Sequence, residues 1–288
     1  MTIKSILVPL AEPRMAKTSL KAALTLAATF DAHIEVLHVR PDARLVAASY
    51  AGETMSGGMI EQMFKDTESK SAANAKATRA AFEQACKAAG VRIADKPGRA
   101  NALTAAWRDE VGYEDQALRS RGRRSDITVL PRPVSDIDVG VRLSLEAALM
   151  DTGRPLLVVP PTVPARIGSN IAIAWNGSVE AARAVGEAKP FLAGARKVTI
   201  LTANEAGGED ADPAGLRAFL AWHGVSAKVE TVRSRGDIGK ALLAAADKAG
   251  ANLLVMGAYS HSRVREMILG GVTRHVLAAA EIPTLMAH

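Results

Sequence analysis

The sequence predicts an α/β protein made of two tandem, doubly wound domains, each with a five-stranded, mainly parallel sheet. Short β-branched runs alternate with alanine-rich stretches along the chain, which is the pattern of parallel strands joined by crossover helices. This alternation occurs twice in the same order. Continuous apolar runs such as residues 156–159 are typical of a sheet that helices cover on both faces.

Each predicted strand is a short run of aliphatic and β-branched residues. In the first half of the chain these runs are residues 6–10, 34–39, 91–94, 127–130 and 156–159, of which 91–94 is the weakest. In the second half they are residues 171–175, 198–201, 227–232, 253–256 and 284–286. The stretches between them predict helices, such as residues 19–29, 181–192 and 238–249.

The recurrence of the same elements predicts a tandem duplication with domains at residues 1–162 and 167–288. The proline-rich stretch at residues 160–164 cannot continue a strand and indicates a stiff connector. The spacing between corresponding residues of the two halves shortens along the chain, so the first half carries an additional segment. We place that segment at residues 41–76.

The composition is that of a folded, soluble chain, with 48% hydrophobic and 23% charged residues. No apolar run approaches the roughly 18–20 residues of a membrane span, and residues 1–10 lack the features of a signal peptide. The single cysteine, Cys86, permits no internal disulfide, in agreement with a reducing compartment. We therefore expect a cytoplasmic protein without a membrane partner.

The net charge of +6 raises the question of nucleic-acid binding. The two halves share this charge equally, so neither resembles a basic tail. One dense cluster, made of Arg119, Arg121, Arg123 and Arg124, lies where a predicted helix ends. Cations at a helix C-terminus complement its dipole, which favours a solvated helix end over a phosphate-contacting patch. We expect no nucleic-acid partner.

The sequence that follows the fourth strand of the second half has the character of a phosphate cradle. Gly257 ends that strand, and Gly270 and Gly271 open the last helix. Such glycines permit close approach of the backbone to an anion, and a helix N-terminus supplies unpaired N–H donors. The same glycines could instead serve a tight turn and the packing of a helix on the sheet. The spacing alone favours neither interpretation.

This loop resembles the nucleotide motif of the universal stress protein family, which is Gly, two residues, Gly, nine residues, Gly and then Ser or Thr. Here Gly257, Ser260, Gly270 and Gly271 stand at these positions. Residues 171–178 also resemble the first strand and turn of the family. The resemblance covers both halves and implies a Rossmann-like fold of the adenine nucleotide alpha hydrolase type.

The resemblance implies that ATP or another adenine nucleotide binds to the second half, with Mg²⁺ only if ATP is bound. The implied binding residues surround the loop: Asn176, Thr202, Ala203, Gly257, Ser260, His261, Ser262, Arg263, Gly270, Gly271, Val272 and Thr273. It also implies that the two domains pair through their last strands and that the protein forms a homodimer. The protein partner and the stress remain unnamed by the sequence.

Three departures from the family pattern bear on this implication. Ser260 replaces a glycine, Gly271 replaces the Ser or Thr, and Asn176 stands where binding members usually have an aspartate. Together they favour an alternative, a nucleotide-free interaction scaffold. A slow Mg²⁺-dependent ATPase at the same site is a further alternative. The sequence predicts no catalytic residue and no metal ligand.

The first half departs from the motif completely. Pro131 corresponds to Gly257, while Arg142 and Leu143 correspond to Gly270 and Gly271. Because proline removes an N–H donor and the glycines are absent, we expect this half not to hold ATP in the manner of the family.

Aromatic and histidine side chains outside the motif receive structural interpretations. Trp107, Trp175 and Trp222 lie in apolar contexts and are expected to be packing anchors. His38, within the second predicted strand, is expected to be a core or edge histidine.

Overall fold

A computed structural model of the chain describes residues 2–44, 46, 57–96, 103–133, 139–203, 211–234, 236–258 and 270–288. The first half contains β1 (Ser5–Pro9), α1 (Pro13–Phe30), β2 (His33–Arg40), α2 (Gly57–Ala88), β3 (Arg92–Ile93), β4 (Thr104–Val111), α3 (Glu114–Gly122), β5 (Ile127–Pro131), α4 (Val139–Asp151) and β6 (Leu156–Val159). The second half contains β7 (Asn170–Ala174), α5 (Val179–Glu187), α6 (Lys189–Leu192), β8 (Lys197–Ala203), α7 (Pro213–Trp222), β9 (Ala227–Val232), α8 (Ile238–Lys248), β10 (Leu253–Gly257), α9 (Gly271–Ala279) and β11 (Thr284–Ala287).

All strands form one 11-stranded sheet in the order β3-β4-β2-β1-β5-β6-β11-β10-β7-β8-β9. Pairing is parallel within each half, and helices connect the parallel strands, so the predicted α/β class is confirmed. At the centre, β6 pairs with β11 antiparallel, with Leu157 opposite Leu285. The carboxyl ends of the two sets of strands therefore lie at opposite edges of the sheet.

The two halves share a continuous core across the β6–β11 pair. Leu157 and Leu285 are fully buried there. Phe30, at the end of α1, meets Phe191 of α6 edge to face, with ring centroids 5.2 Å apart. Val163 of the connector is also buried in this core. The last strands thus join the halves, in the way that the sequence analysis expected.

The first half has a strand that the sequence analysis missed. The predicted third strand, residues 91–94, is only the two-residue edge strand β3, and β4 lies between it and β2. The sequence of β4 carries three consecutive charges, at Arg108, Asp109 and Glu110, which obscure the strand pattern. In the structure each charge meets an opposite charge on a neighbouring element, so the strand is stable despite its sequence.

The additional segment of the first half is also distributed differently from the prediction. Most of it is helix, because α2 has 32 residues and its counterpart α7 has 10. The rest includes β3 and its connections, which lie beyond the predicted range of residues 41–76. Part of that range, residues 45 and 47–56, lies outside the described residues.

The arginine cluster lies at a helix end, as its position predicts, but only Arg123 and Arg124 are exposed, while Arg119 and Arg121 are half-buried. Arg119 and Arg121 lie in the last turn of α3. Arg121 Nη1 pairs with Glu35 at 2.7 Å, and Arg119 Nη2 pairs with Asp115 at 2.6 Å. Burial disfavours the charge of Arg121, but its carboxylate partners outweigh that effect and raise its pKa.

The three tryptophans differ from one another. Trp107 packs as expected, with its ring centroid 5.7 Å from Phe82 and 5.5 Å from His38. His38 is buried and donates from Nδ1 to the carbonyl oxygen of Leu10 at 2.7 Å. The prediction for Trp222 is wrong, since its side chain is 88% exposed at the end of α7. Within the described part of the chain, no helix combines the length and apolar character needed to cross a membrane.

Candidate functional site

A cleft of about 440 Å³ opens at the carboxyl ends of β7, β8 and β10 in the second half. This is the edge of a doubly wound sheet at which ligands bind, and the volume lies within the roughly 300–1,000 Å³ of small-molecule pockets. The lining residues come from three strand ends and from the starts of α8 and α9: Ala174, Trp175, Asn176, Leu201, Ala203, Ile238, Leu242, Met256, Gly257, Gly270, Gly271, Val272 and Thr273.

Two walls of the cleft are apolar. Leu201 and Met256 are buried at the strand ends, and Ile238 and Leu242 face them from α8. Trp175 follows β7 and is half-buried, and its indole N–H is buried without a hydrogen-bond partner among the described residues. A buried donor without a partner is costly. These walls therefore suit a flat, mainly apolar group that presents a hydrogen-bond acceptor.

The third wall is the N-terminus of α9, which lacks a side-chain cap. Gly270 is the N-cap residue, and no acidic side chain lies in the first turn. The starts of α5 and α8 differ: Ser178 Oγ accepts from Ala181 N–H, and Asp237 accepts from Lys240 N–H. Among the described residues, no capping side chain therefore accepts from the first N–H groups of α9, which lie at the positive end of its dipole.

The glycines of the motif have two different physical origins. A Cβ at Gly257 would lie 2.5 Å from the Ala181 nitrogen, so this glycine is required for the packing of α5 on β10. A Cβ at Gly270 or Gly271 would meet no described atom within 4 Å. Neither has a positive φ angle. Packing and backbone conformation therefore explain Gly257 but not the pair at the start of α9.

Asn176 begins a tight turn between β7 and α5. Its Oδ1 accepts the N–H of Ser178 at 3.1 Å, and Gly177 has a φ of 76°, which requires glycine. The carbonyl side of the amide is engaged in the turn. What Asn176 offers the cleft is therefore its NH₂ group, a donor, whereas an aspartate could only accept.

The two helices that flank the cleft, α8 and α9, are joined by a side-chain hydrogen bond. His275 of α9 donates from Nδ1 to Asp237 at 2.9 Å, and Asp237 also caps α8. Gly239 allows this approach, because a Cβ there would lie 2.7 Å from the Cβ of His275. A change at this contact would move one wall of the cleft against another.

The structure brings together seven of the predicted binding residues in this cleft: Asn176, Ala203, Gly257, Gly270, Gly271, Val272 and Thr273. Thr202 does not line it, because side chains alternate along β8 and those of Leu201 and Ala203 take the cleft side. Ser260, His261, Ser262 and Arg263 lie outside the described residues. The sequence analysis missed the walls formed by Trp175, Leu201, Ile238, Leu242 and Met256, whose only signal was their place at strand ends and at a helix start.

Comparison with known proteins agrees with this architecture. The model of the universal stress protein family matches residues 169–288. A universal stress protein from Archaeoglobus fulgidus has the same fold with a TM-score of 0.69 and 18% identity, covering 98% of this chain and 97% of that chain. A Pseudomonas aeruginosa protein of unknown function has a TM-score of 0.58 and 13% identity, covering 99% of this chain and 92% of its own.

No curated protein sequence matches the chain. The structural similarities span both halves, whereas the family model matches the second half, which is also the half that carries the cleft. On this evidence the second half, residues 169–288, matches the universal stress protein family, and the whole chain has the fold of a solved universal stress protein.

Proposed function

We propose that the protein binds an adenine nucleotide such as ATP in the cleft of its second half, and that binding regulates an interaction surface instead of supporting turnover. The observation that carries this proposal is the N-terminus of α9, which has no side-chain cap, beside two glycines that no packing contact with the described residues requires. The first half is proposed to bind no nucleotide in this manner.

The phosphate end of the ligand is assigned to Gly270, Gly271 and the first turn of α9. Unpaired N–H groups and the helix dipole favour an anion at this position. The absence of an acidic side chain in the first turn of α9 removes a competitor for the same donors. Phosphate oxygens can approach the backbone closely because no Cβ fills the space beside either glycine.

The base end of the ligand is assigned to the apolar walls. Trp175 and Met256 can contact the face of a purine, and an acceptor atom of the ligand would satisfy the buried indole N–H. Asn176 is expected to donate its NH₂ group to the nucleoside. This replaces the role that the family gives to an aspartate, with opposite hydrogen-bond polarity.

Binding is expected to act by population shift. The segment between Gly257 and Gly270 connects β10 to α9, so a ligand on both ends would favour one arrangement of this connection. A regulatory role in stress response, a cytoplasmic location and a homodimer complete the proposal. Mg²⁺ would be needed only to accompany ATP.

The test is thermal denaturation of the purified protein with and without millimolar ATP and Mg²⁺. A ligand at 100 times its Kd stabilises the native state by about 2.7 kcal/mol, so a clear rise in Tm is expected. Gly270→Arg places a bulky cation in the cradle and should abolish the rise. Gly186→Arg is the matched control, since this exposed glycine of α5 also has no described neighbour within 4 Å.

The outcomes separate the three functions. A rise in Tm that only Gly270→Arg abolishes supports nucleotide binding at this cleft. The absence of any rise in the wild-type protein would contradict the proposal and favour the nucleotide-free scaffold. Phosphate release above background that Gly270→Arg removes would instead identify the slow ATPase.

A further inference from the structure

Large apolar side chains are concentrated at one groove on the surface of the first half. Of the nine large apolar side chains that are exposed in the described part of the chain, three line this groove: Tyr113 is 54% exposed, Leu143 is 56% exposed and Met150 is 45% exposed. The groove has a volume of about 590 Å³ and lies between α3 and α4. Exposed apolar residues that are scattered singly need no explanation, but a group around one groove marks an interaction surface.

The helix α4 supplies two of these side chains from its solvent side. Leu143 and Met150 are about two helical turns apart and therefore lie on the same face of the helix. Ala147 lies between them, is buried, and forms the floor of the groove. The other side of α4 packs into the core through Leu145 and Leu149. A helix with apolar residues on both sides is typical of a buried helix, so we expect a partner to cover the outer side.

Polar contacts between α3 and α4 hold the two borders of the groove in place. Ser144 Oγ donates to Glu114 Oε1 at 2.7 Å, and Arg119 Nε pairs with Asp151 at 3.0 Å. Each contact joins a side chain of α3 to one of α4. The groove is therefore preformed, which lowers the entropic cost of binding in it.

The lining of the groove is acidic, in contrast to the chain as a whole. Its carboxylates are those of Glu114, Asp115, Glu146 and Asp151, and its cation is Arg119. Four negative charges and one positive charge give the lining a formal net charge of −3, whereas the chain carries +6. Arg119 pairs with Asp115 and Asp151, while the exposed Glu146 forms no ion pair with any described residue. The groove therefore favours a cationic partner and disfavours a nucleic acid or an anionic membrane.

We propose that this groove is a docking site for a basic amphipathic helix of a partner protein. Apolar side chains of that helix would contact Tyr113, Leu143 and Met150, and lysine or arginine side chains beside them would face the carboxylates. A second copy of the chain fits less well by two-fold pairing of this groove, because two acidic linings would then face each other. The site belongs to the first half and does not rest on the nucleotide cleft.

The test is fluorescence anisotropy with two labelled helical peptides of opposite charge. The first has leucine at heptad positions a and d and lysine at the other positions, and the second has glutamate in place of the lysine. Each peptide is titrated with the wild-type protein. We expect the lysine peptide to bind with an affinity that falls as salt is added, and the glutamate peptide not to bind.

Variants of the groove locate the bound peptide. Leu143→Ala, Met150→Ala and Glu146→Lys should each weaken binding of the lysine peptide about tenfold, because each removes or opposes a contact of the docked helix. All three positions are exposed, so the folded state is expected to be retained, and the Tm of each variant checks this. Val179→Ala and Glu187→Lys, at exposed positions of α5, are the matched controls and should bind like the wild-type protein.

Three results would overturn the proposal. If the wild-type protein does not bind the lysine peptide, or binds it no better than the glutamate peptide, the groove is not a site for a basic helix. If Leu143→Ala and Glu146→Lys bind the lysine peptide like the wild-type protein, the peptide sits elsewhere. If sedimentation shows a dimer that Leu143→Asp converts to a monomer, a second copy covers the groove instead. Gly270→Arg should bind the lysine peptide unchanged, so loss of docking and loss of nucleotide binding are separate results.

Discussion

Gly257 and Gly271 line the same cleft for different physical reasons. The first lies where the backbone of α5 contacts β10, and the second, at the start of α9, has no described atom within 4 Å of where a Cβ would lie. This difference decides which interpretation of the motif applies at each position. Gly257 serves helix packing, while Gly271 is free to serve a ligand.

Gly257→Ala is expected to lower the free energy of unfolding by about 1–3 kcal/mol, because the new methyl group overpacks the contact with Ala181. Gly271→Ala should leave the stability unchanged within about 0.5 kcal/mol or raise it slightly, since alanine suits a helix without strain. Urea denaturation of both variants gives the comparison. Equal losses of stability would contradict the assignment of separate roles.

Asp126 and Asn252 make equivalent contacts in the two halves. Asp126 Oδ2 accepts the N–H groups of Lys4 and Ser5 at 2.7 and 3.0 Å. Asn252 Oδ1 accepts those of Gly168 and Asn170 at 3.1 and 3.0 Å. Asp126 therefore links the start of β1 to the start of β5, and Asn252 links the start of β7 to the start of β10. The two halves therefore share this contact as well as the order of their main strands.

At the scale of elements, α2 is buried unevenly along its length. All its buried side chains, Thr78, Phe82 and Cys86, lie in the C-terminal third of the helix. The N-terminal part carries exposed residues such as Met59, which is 57% exposed. Tertiary packing therefore supports only one end of this long helix.

Amide hydrogen exchange is expected to follow this gradient. Protection should be strong from Thr78 to Ala88 and should fall steadily towards Gly57, because local opening is easiest where few apolar contacts are lost. Exchange measured by mass spectrometry on peptides of α2 gives the profile. Uniform protection along the helix would mean that another surface covers its first half.

Strands with an uninterrupted apolar pattern were predictable from the sequence. A strand that is stabilised by ion pairs with distant residues was not. The apolar strands β1, β5 and β6 carry their own signal, whereas β4 depends on Arg40, Glu35 and Arg121 to neutralise its charges. The same distinction holds for the site. Its glycines form a motif in the sequence, but the Trp175 and Ile238 walls arise only when distant strand and helix ends meet.

At the scale of the whole molecule, the β6–β11 pair should make the two halves unfold together. Leu157 of β6 and Leu285 of β11 are fully buried and lie opposite each other where the two strands pair. Trp107 is the tryptophan of the first half, while Trp175 and Trp222 belong to the second. Tryptophan fluorescence can therefore follow each half separately in variants that retain the tryptophans of only that half.

Coincident urea transitions are expected for Trp107→Phe and for the double variant Trp175→Phe, Trp222→Phe. Leu285→Asp should shift both transitions by at least about 3 kcal/mol, because it buries an unpaired charge at the joint. Leu143→Asp, at an exposed leucine of α4, is the control. Two separate transitions would show that the halves are independent in stability.

The joint also constrains the proposed homodimer. The last strands are paired within the chain, and the edges of the sheet are β3 and β9. β3 has two residues, and β9 exposes Lys228 and Glu230, which are features that discourage edge pairing. These features disfavour a homodimer formed by pairing of the sheet edges.

The antiparallel pairing of β6 with β11 also determines from which sides ligands and partners reach the molecule. Because the two strand sets end at opposite edges, the cleft of the second half lies at one edge, and a smaller cavity of the first half, lined by Pro131, Arg132 and Val159, lies at the other. A macromolecule that covers one opening leaves the other exposed to solvent. Small solutes can therefore still enter and leave the uncovered opening while a partner is bound at the other one.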